Sequence, residues 1–276
     1  MTSPLISVQT LQESLNEHVV IDVRFDLNKP EKGPQRYQKL HIAGAIYAHM
    51  DDVLASPITE TSGRHPLPDA QHLMNWLGAH GITPDSSVVV YDDLQGAFAA
   101  RLWWLLRWLG HEKVAVLDGG WQAWQDADGL MESIEPEYTP TTYQATPNDA
   151  MWLSTSAVSA LLTKCDVVLI DVRAAERFRG EIEPLDPIAG HIPSAVNIPL
   201  TENTTSEGVF KSPEALRKLY ETSVKDKNTH ICMCGSGITA CQSILAMEVA
   251  GIEGALLYAG SWSEWIRDPQ RPVATA

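Results

Sequence analysis

Positive charge is scarce in this sequence. Its 20 lysines and arginines face 35 aspartates and glutamates, a formal net charge of −15. No basic stripe is present, which argues against nucleic acid as the main partner. Long apolar runs are also missing. None approaches the roughly 20 residues of a membrane-spanning helix, so no membrane partner is expected. The opening stretch "MTSPLISVQTLQESL" lacks a basic segment followed by an apolar core, so no signal peptide is expected. Cysteine is rare too: Cys165, Cys232, Cys234 and Cys241, with no C-x-x-C spacing. Three of them crowd into one short stretch, which suits a reducing cytoplasm better than a disulfide framework. A cytoplasmic globular protein is expected. Its 276 residues are enough for two domains of ordinary size.

What is present centres on "HICMCGSGITACQSILAMEVAG" (230–251). The run into Cys234 is short and apolar, as a buried strand is. The run after it places Ile244, Leu245, Met247 and Val249 in a helical pattern and stops at Gly251. Gly235 and Gly237 permit a tight loop between the two. Such a loop turns backbone N–H groups inward and aims a helix N-terminus at whatever sits inside, so it favours a negative group. Cys234 is therefore expected to react as a thiolate. A thiol of pKa about 8.5 is roughly 3% ionised at pH 7, and one lowered to about 6.5 is roughly 75% ionised.

The chain repeats itself once. "VVIDVRFD" (19–26) returns as "VLIDVRAA" (168–175), "HIAGAIYAHM" (41–50) as "HIPSAVNIPL" (191–200), and "LDGGWQAW" (117–124) as "YAGSWSEW" (258–265). Asp22 and Asp171 stand 149 residues apart, and His41 and His191 stand 150 apart. Each half alternates β-rich runs with helical patterns, which calls for parallel strands with helices on both faces. The expected domains are 1–135 and 150–276, joined by a Pro- and Thr-rich linker at 136–149. Asp92 aligns with Cys234, so the first half has no thiol and is expected to be structural. "RLWWLLRWLG" (101–110) is apolar nearly all round and reads as a buried helix. Arg24 and Arg173 recur in both halves, and structural pairing with carboxylates is expected for both. His191 reads as a turn residue, and Trp262 and Trp265 as supports beneath the loop.

With these motifs in hand, the chain resembles the two-domain rhodanese-type sulfurtransferases over nearly its whole length. The resemblance implies an α/β fold of tandem duplicated rhodanese-like domains. It implies transfer of sulfur from a small anionic donor to Cys234 as a persulfide, then to cyanide, a thiol or a thioredoxin-like acceptor, with no cofactor. The neutral loop "CGSGITA" resembles that of the 3-mercaptopyruvate enzymes, whereas thiosulfate enzymes usually carry basic residues after the cysteine. Ser236 is a candidate proton relay. Arg177 falls where the family binds substrate, and a guanidinium grips a carboxylate through two parallel hydrogen bonds. Arg179, Gly235, Gly237, Ile238 and Thr239 are further candidate contacts. His41 resembles the family's relay histidine. One position departs from the pattern: Asp186 stands where mercaptopyruvate enzymes usually carry a second arginine. Asp186→Arg is therefore expected to lower the KM for mercaptopyruvate. Thiosulfate is the alternative donor.

Three other classes fit less well. A C-x₅-R phosphatase needs an arginine six residues after the cysteine, where Ala240 stands. A non-catalytic binding module would not need the thiol. A zinc site built on Cys232, Cys234 and Cys241 lacks a well-placed fourth ligand, so no metal is expected.

Overall fold

The computed structural model describes residues 3–276. The described chain divides into two compact units. Each is built on a five-stranded sheet in which every pairing is parallel. In the first unit the strands, in spatial order, are Leu5–Ile6, Val114–Leu117, Val88–Tyr91, Val19–Asp22 and Ile46–Tyr47. In the second they are Trp152–Leu153, Leu256–Tyr258, Thr229–Met233, Val167–Asp171 and Val196–Asn197. Ranked along the chain within each unit, both sheets read first, fifth, fourth, second, third. The sequence repeat is therefore a repeat of topology.

The strands are short, and their interior residues are buried nearly without alternation, as a sheet covered on both faces requires. In the helix Ala99–Trp108 every residue but Arg107 is buried, which confirms the all-round apolar reading. Its counterpart Ala240–Val249 is buried from Ala240 through Met247. Corresponding side chains fill the two cores. Leu11, Val89, Leu117 and Trp124 cluster in one unit, and Val158, Ile231, Tyr258 and Trp265 in the other.

The paired "DVR" motifs explain themselves in the same way in both units. Arg24 Nη2 donates to Asp22 Oδ2 at 2.6 Å, and Arg173 Nη2 to Asp171 Oδ2 at 2.6 Å. Each guanidinium also donates to a backbone carbonyl, of Leu40 and of Gly190, at 2.7 Å. Each then lies over a tryptophan ring, Trp121 at 4.3 Å and Trp262 at 4.7 Å. All four charged residues are buried. The histidines of the "HI" motifs are equally matched. His41 Nδ1–H donates to Tyr37 O and His191 Nδ1–H to Phe178 O, both at 2.7 Å, and each ring stacks on the aromatic side chain of the same residue.

The boundaries differ from the sequence reading in two ways. The stretch expected to be a linker packs onto the first unit up to Asn148. Thr141 N–H donates to Gly78 O at 2.7 Å, Asn148 N–H to Trp108 O at 2.8 Å, and Tyr143 is buried. In addition, each unit contains a segment from the other half of the chain. Pro57–Pro66 belongs to the second unit and Ser206–Phe210 to the first. The two segments begin 149 residues apart, the spacing of the repeat itself. Composition carries no signal of this reciprocal exchange. It is fixed by long-range contacts such as Phe210 N–H to Asp118 Oδ1 (2.8 Å) and Arg64 N–H to Ser263 Oγ (3.0 Å).

Removing one partner of a buried ion pair strands the other in the interior, at a cost of about 3–5 kcal/mol. Asp22→Ala and Asp171→Ala should each lower stability by about that amount in urea unfolding followed by tryptophan fluorescence. A loss below about 1 kcal/mol in either variant would contradict the structural reading of the motif.

Candidate active site

The loop Cys234–Thr239 leaves the carboxyl end of the strand Thr229–Met233 and feeds the helix Ala240–Val249. Gly237 makes the turn at φ +80°, and a side chain there would collide with the Ala259 carbonyl. Its N–H donates to Cys234 Sγ at 3.2 Å. The loop is tied from below, as expected for the "SWSEW" segment. Trp262 N–H donates to Cys234 O at 3.1 Å, and Ser263 N–H to Gly235 O at 2.8 Å.

The three thiols of this region play different parts. Cys241 S–H points to Gly237 O at 3.5 Å and Cys232 S–H to Met247 Sδ at 3.8 Å. Burial pushes the Cys232 thiol well up, so it stays protonated. Cys234 Sγ instead receives the backbone N–H of Gly237.

The first unit contains a corresponding loop, one residue longer, between the strand Val88–Tyr91 and the helix Ala99–Trp108. There Asp92 takes the place of Cys234, and its carboxylate fills the bowl. Oδ1 accepts from the N–H groups of Leu94 (2.8 Å) and Gly96 (2.9 Å), and Oδ2 from those of Phe98 (2.7 Å) and Ala99 (2.8 Å). Gly96, at φ +79°, is the counterpart of Gly237. Burial pushes the Asp92 carboxyl up, and the four inward N–H groups oppose that push by favouring its charged form.

Three side chains, His65, Arg177 and Arg64, stand beside the Cys234 loop in its own unit. Ser236 is buried, and its Oγ shares a 2.8 Å hydrogen bond with His65 Nδ1. Arg177 is held by Glu183, with Nη2–Oε1 at 2.6 Å and Nε–Oε2 at 3.1 Å. Arg64 is paired with Asp186. Both guanidiniums flank Gly235: a Cβ built there would lie 2.9 Å from Arg64 Nη2 and 3.6 Å from Arg177 Nη2.

Comparison with known proteins bears on this geometry. The Rhodanese-like domain family matches residues 7–127 and 154–268. A probable 3-mercaptopyruvate sulfurtransferase of Pseudomonas aeruginosa is 43% identical over 280 residues, 99% of each chain. A putative thiosulfate sulfurtransferase of Mycobacterium tuberculosis is 37% identical over 92% of this chain and 89% of its own length. Among solved structures, the 3-mercaptopyruvate sulfotransferase SseA of Escherichia coli superposes with a TM-score of 0.83. It is 31% identical, over 95% of this chain and 100% of that one. The chain belongs to the rhodanese-like family.

Within this rhodanese-like chain two expected site residues lie elsewhere. His41 is enclosed in the first unit, where Nδ1–H is spent on Tyr37 O and Nε2 sits 3.3 Å from Ile134 O. The histidine on the Ser236 hydroxyl is His65. Arg179 is exposed and paired with Glu181 at 2.7 Å, so it does not join Arg177. Ile238 is buried, and Thr239 stands at the N-terminal end of the helix that follows the loop, with no capping bond from its side chain.

The sequence reading missed Arg64 and His65. Both sit on the exchanged segment 57–66, in "TSGRHPLP", a stretch with no periodic signal. It also missed Ser261. This residue adopts φ +52°, where its counterpart in the repeat is Gly120 at φ +56°. A non-glycine residue in that region is strained. The hydroxyl offsets the strain: Ser261 Oγ accepts the Cys234 N–H at 3.1 Å and donates to Tyr258 O at 2.9 Å. Ser261→Gly should leave thermal stability nearly unchanged, since strain relief offsets the lost bond. Cys234 should then react more slowly with a neutral alkylating agent, because its backbone is no longer anchored. Mass spectrometry of the Cys234 peptide over time checks this, and an unchanged rate would remove Ser261 from the site.

Proposed function

We propose that this chain is a sulfurtransferase whose nucleophile and persulfide carrier is Cys234. The observation that carries the reading is the N–H of Gly237 on Cys234 Sγ, in a loop whose twin cradles a carboxylate with four N–H groups. The donor that best fits is 3-mercaptopyruvate. Supporting it are the neutral Gly235 and Ser236 after the cysteine and the 43% identical relative of that name.

In the first half-reaction the Cys234 thiolate attacks the donor's sulfur. The S–S bond forms as the donor's C–S bond breaks, and the electron pair leaves on carbon as the enolate of pyruvate. The proton that the donor's thiol or the surroundings give up returns to that carbon. The Ser236–His65 pair is placed to move it, as a hydroxyl and an imidazole in hydrogen-bond contact. Arg177 holds the carboxylate. In the second half-reaction a thiolate or cyanide attacks the outer sulfur of the persulfide and releases the Cys234 thiolate. The loop N–H groups, by analogy with those on Asp92, stabilise negative charge on sulfur in both steps.

Thiosulfate is the second reading, favoured by the 37% identical relative named for it. Rates with each donor under a common cyanide acceptor separate the two. Mercaptopyruvate should be turned over faster at equal subsaturating concentration, and the reverse result would make thiosulfate the donor. Incubation with donor should add one sulfur atom to the wild type, Cys165→Ser, Cys232→Ser and Cys241→Ser, and none to Cys234→Ser, by intact mass. A sulfur gained by the Cys234→Ser protein would refute the assignment.

A further inference from the structure

Asp186 occupies the position where an arginine was expected, and the sequence alone reads this as a lost cation facing a repelling anion. The structure turns that reading round. Asp186 is paired with Arg64 through Oδ1, and its Oδ2 lies 3.4 Å from Arg177 Nη2. One carboxylate thus bridges two guanidiniums that stand side by side at Gly235. The exposures give the arrangement a direction. The side chains of Asp186 and Glu183 are 3% and 4% exposed, against 24% for Arg64 and 15% for Arg177. The carboxylates are the more buried partners and the guanidiniums, which stand beside Gly235, the more exposed.

We infer that Arg64, carried in on the exchanged segment 57–66, supplies the second cation of a carboxylate clamp with Arg177, and that Asp186 is the buried bracket that sets their spacing. Each guanidinium keeps free N–H donors after engaging its carboxylate, because arginine has five. The clamp would take a small carboxylate or another planar anion. This deepens the sulfurtransferase reading by naming what recognises the donor, and it rests on that reading for the donor's identity only.

The bracket reverses one expectation. Asp186→Arg should raise the KM for mercaptopyruvate, because it removes the partner of Arg64 and sets three guanidiniums against one another. Arg64→Ala should raise KM about ten- to hundredfold with kcat little changed, the size of a lost hydrogen bond to a charged group. Arg64→Lys should recover part of the loss. The double variant Arg64→Asp with Asp186→Arg restores the pair in reverse and should bring KM back to within about threefold of wild type.

A second measurement does not depend on the sulfur donor. Iodoacetate carries a carboxylate and iodoacetamide does not. Modification of Cys234 by each, read as the mass of its peptide, gives a rate ratio that reports the clamp alone. Arg64→Ala should cut the iodoacetate rate about tenfold and leave the iodoacetamide rate unchanged. Loss of both rates together would mean that Arg64 only holds the segment in place, and no change in either would mean that it does not face the anion. Both results overturn the proposal. A wild type that favours iodoacetate yet cannot use mercaptopyruvate would support the clamp while refuting the donor.

Discussion

Both halves of this protein are organised by one constraint: backbone N–H groups turned inward at the end of a strand need a negative partner. The fourth strand of each sheet stops at its loop, the loop turns at a left-handed glycine, and a buried helix starts. In the first unit the partner is built in, as the carboxylate of Asp92 with four hydrogen bonds. In the second the same place belongs to the sulfur of Cys234, which receives the Gly237 N–H. A cradle filled by its own aspartate has no room for a reagent. One half of the duplication is therefore closed by its own side chain, and the other is open to chemistry.

The rest of the second unit follows from keeping that loop rigid. Trp262 and Ser263 hold its carbonyls, and Ser261 holds the amide of Cys234 at the expense of an unfavourable backbone angle. Arg173, locked to Asp171, lies over the Trp262 ring from the neighbouring strand end. Residues that look catalytic because they are charged and recurrent, Arg24 and Arg173 above all, are thus structural. The same pair appears beside Asp92, where no thiol exists.

Recognition is assembled differently from reactivity. The proposed nucleophile, Cys234, directly follows the central strand Thr229–Met233, where position is precise. The charged groups around it come from loops and from a segment of the other half of the chain. His65 on Ser236, and Arg64 on Asp186, are both carried by the ten residues that leave the first half to join the second unit.

Periodicity, glycine placement and the internal repeat were enough to determine the α/β class, the duplication and the glycine-turned loop, and they single out Cys234 as the proposed nucleophile. These are local signals: a buried strand, a turn that only glycine permits, and a helix on one side of it. Arg177 was singled out only through the resemblance to the family, and its role is part of the proposal. Tertiary structure alone decided the rest. His41 and His191 repeat as clearly as any catalytic residue would, yet each ring is spent on a backbone carbonyl of its own unit. The partner of Ser236 stands 171 residues away, and that of Asp186 stands 122 away. Hydrogen bonds and ion pairs at such separations leave no spacing to read along the chain. They are set by which segment packs against which sheet, and here two segments pack against the sheet of the opposite half.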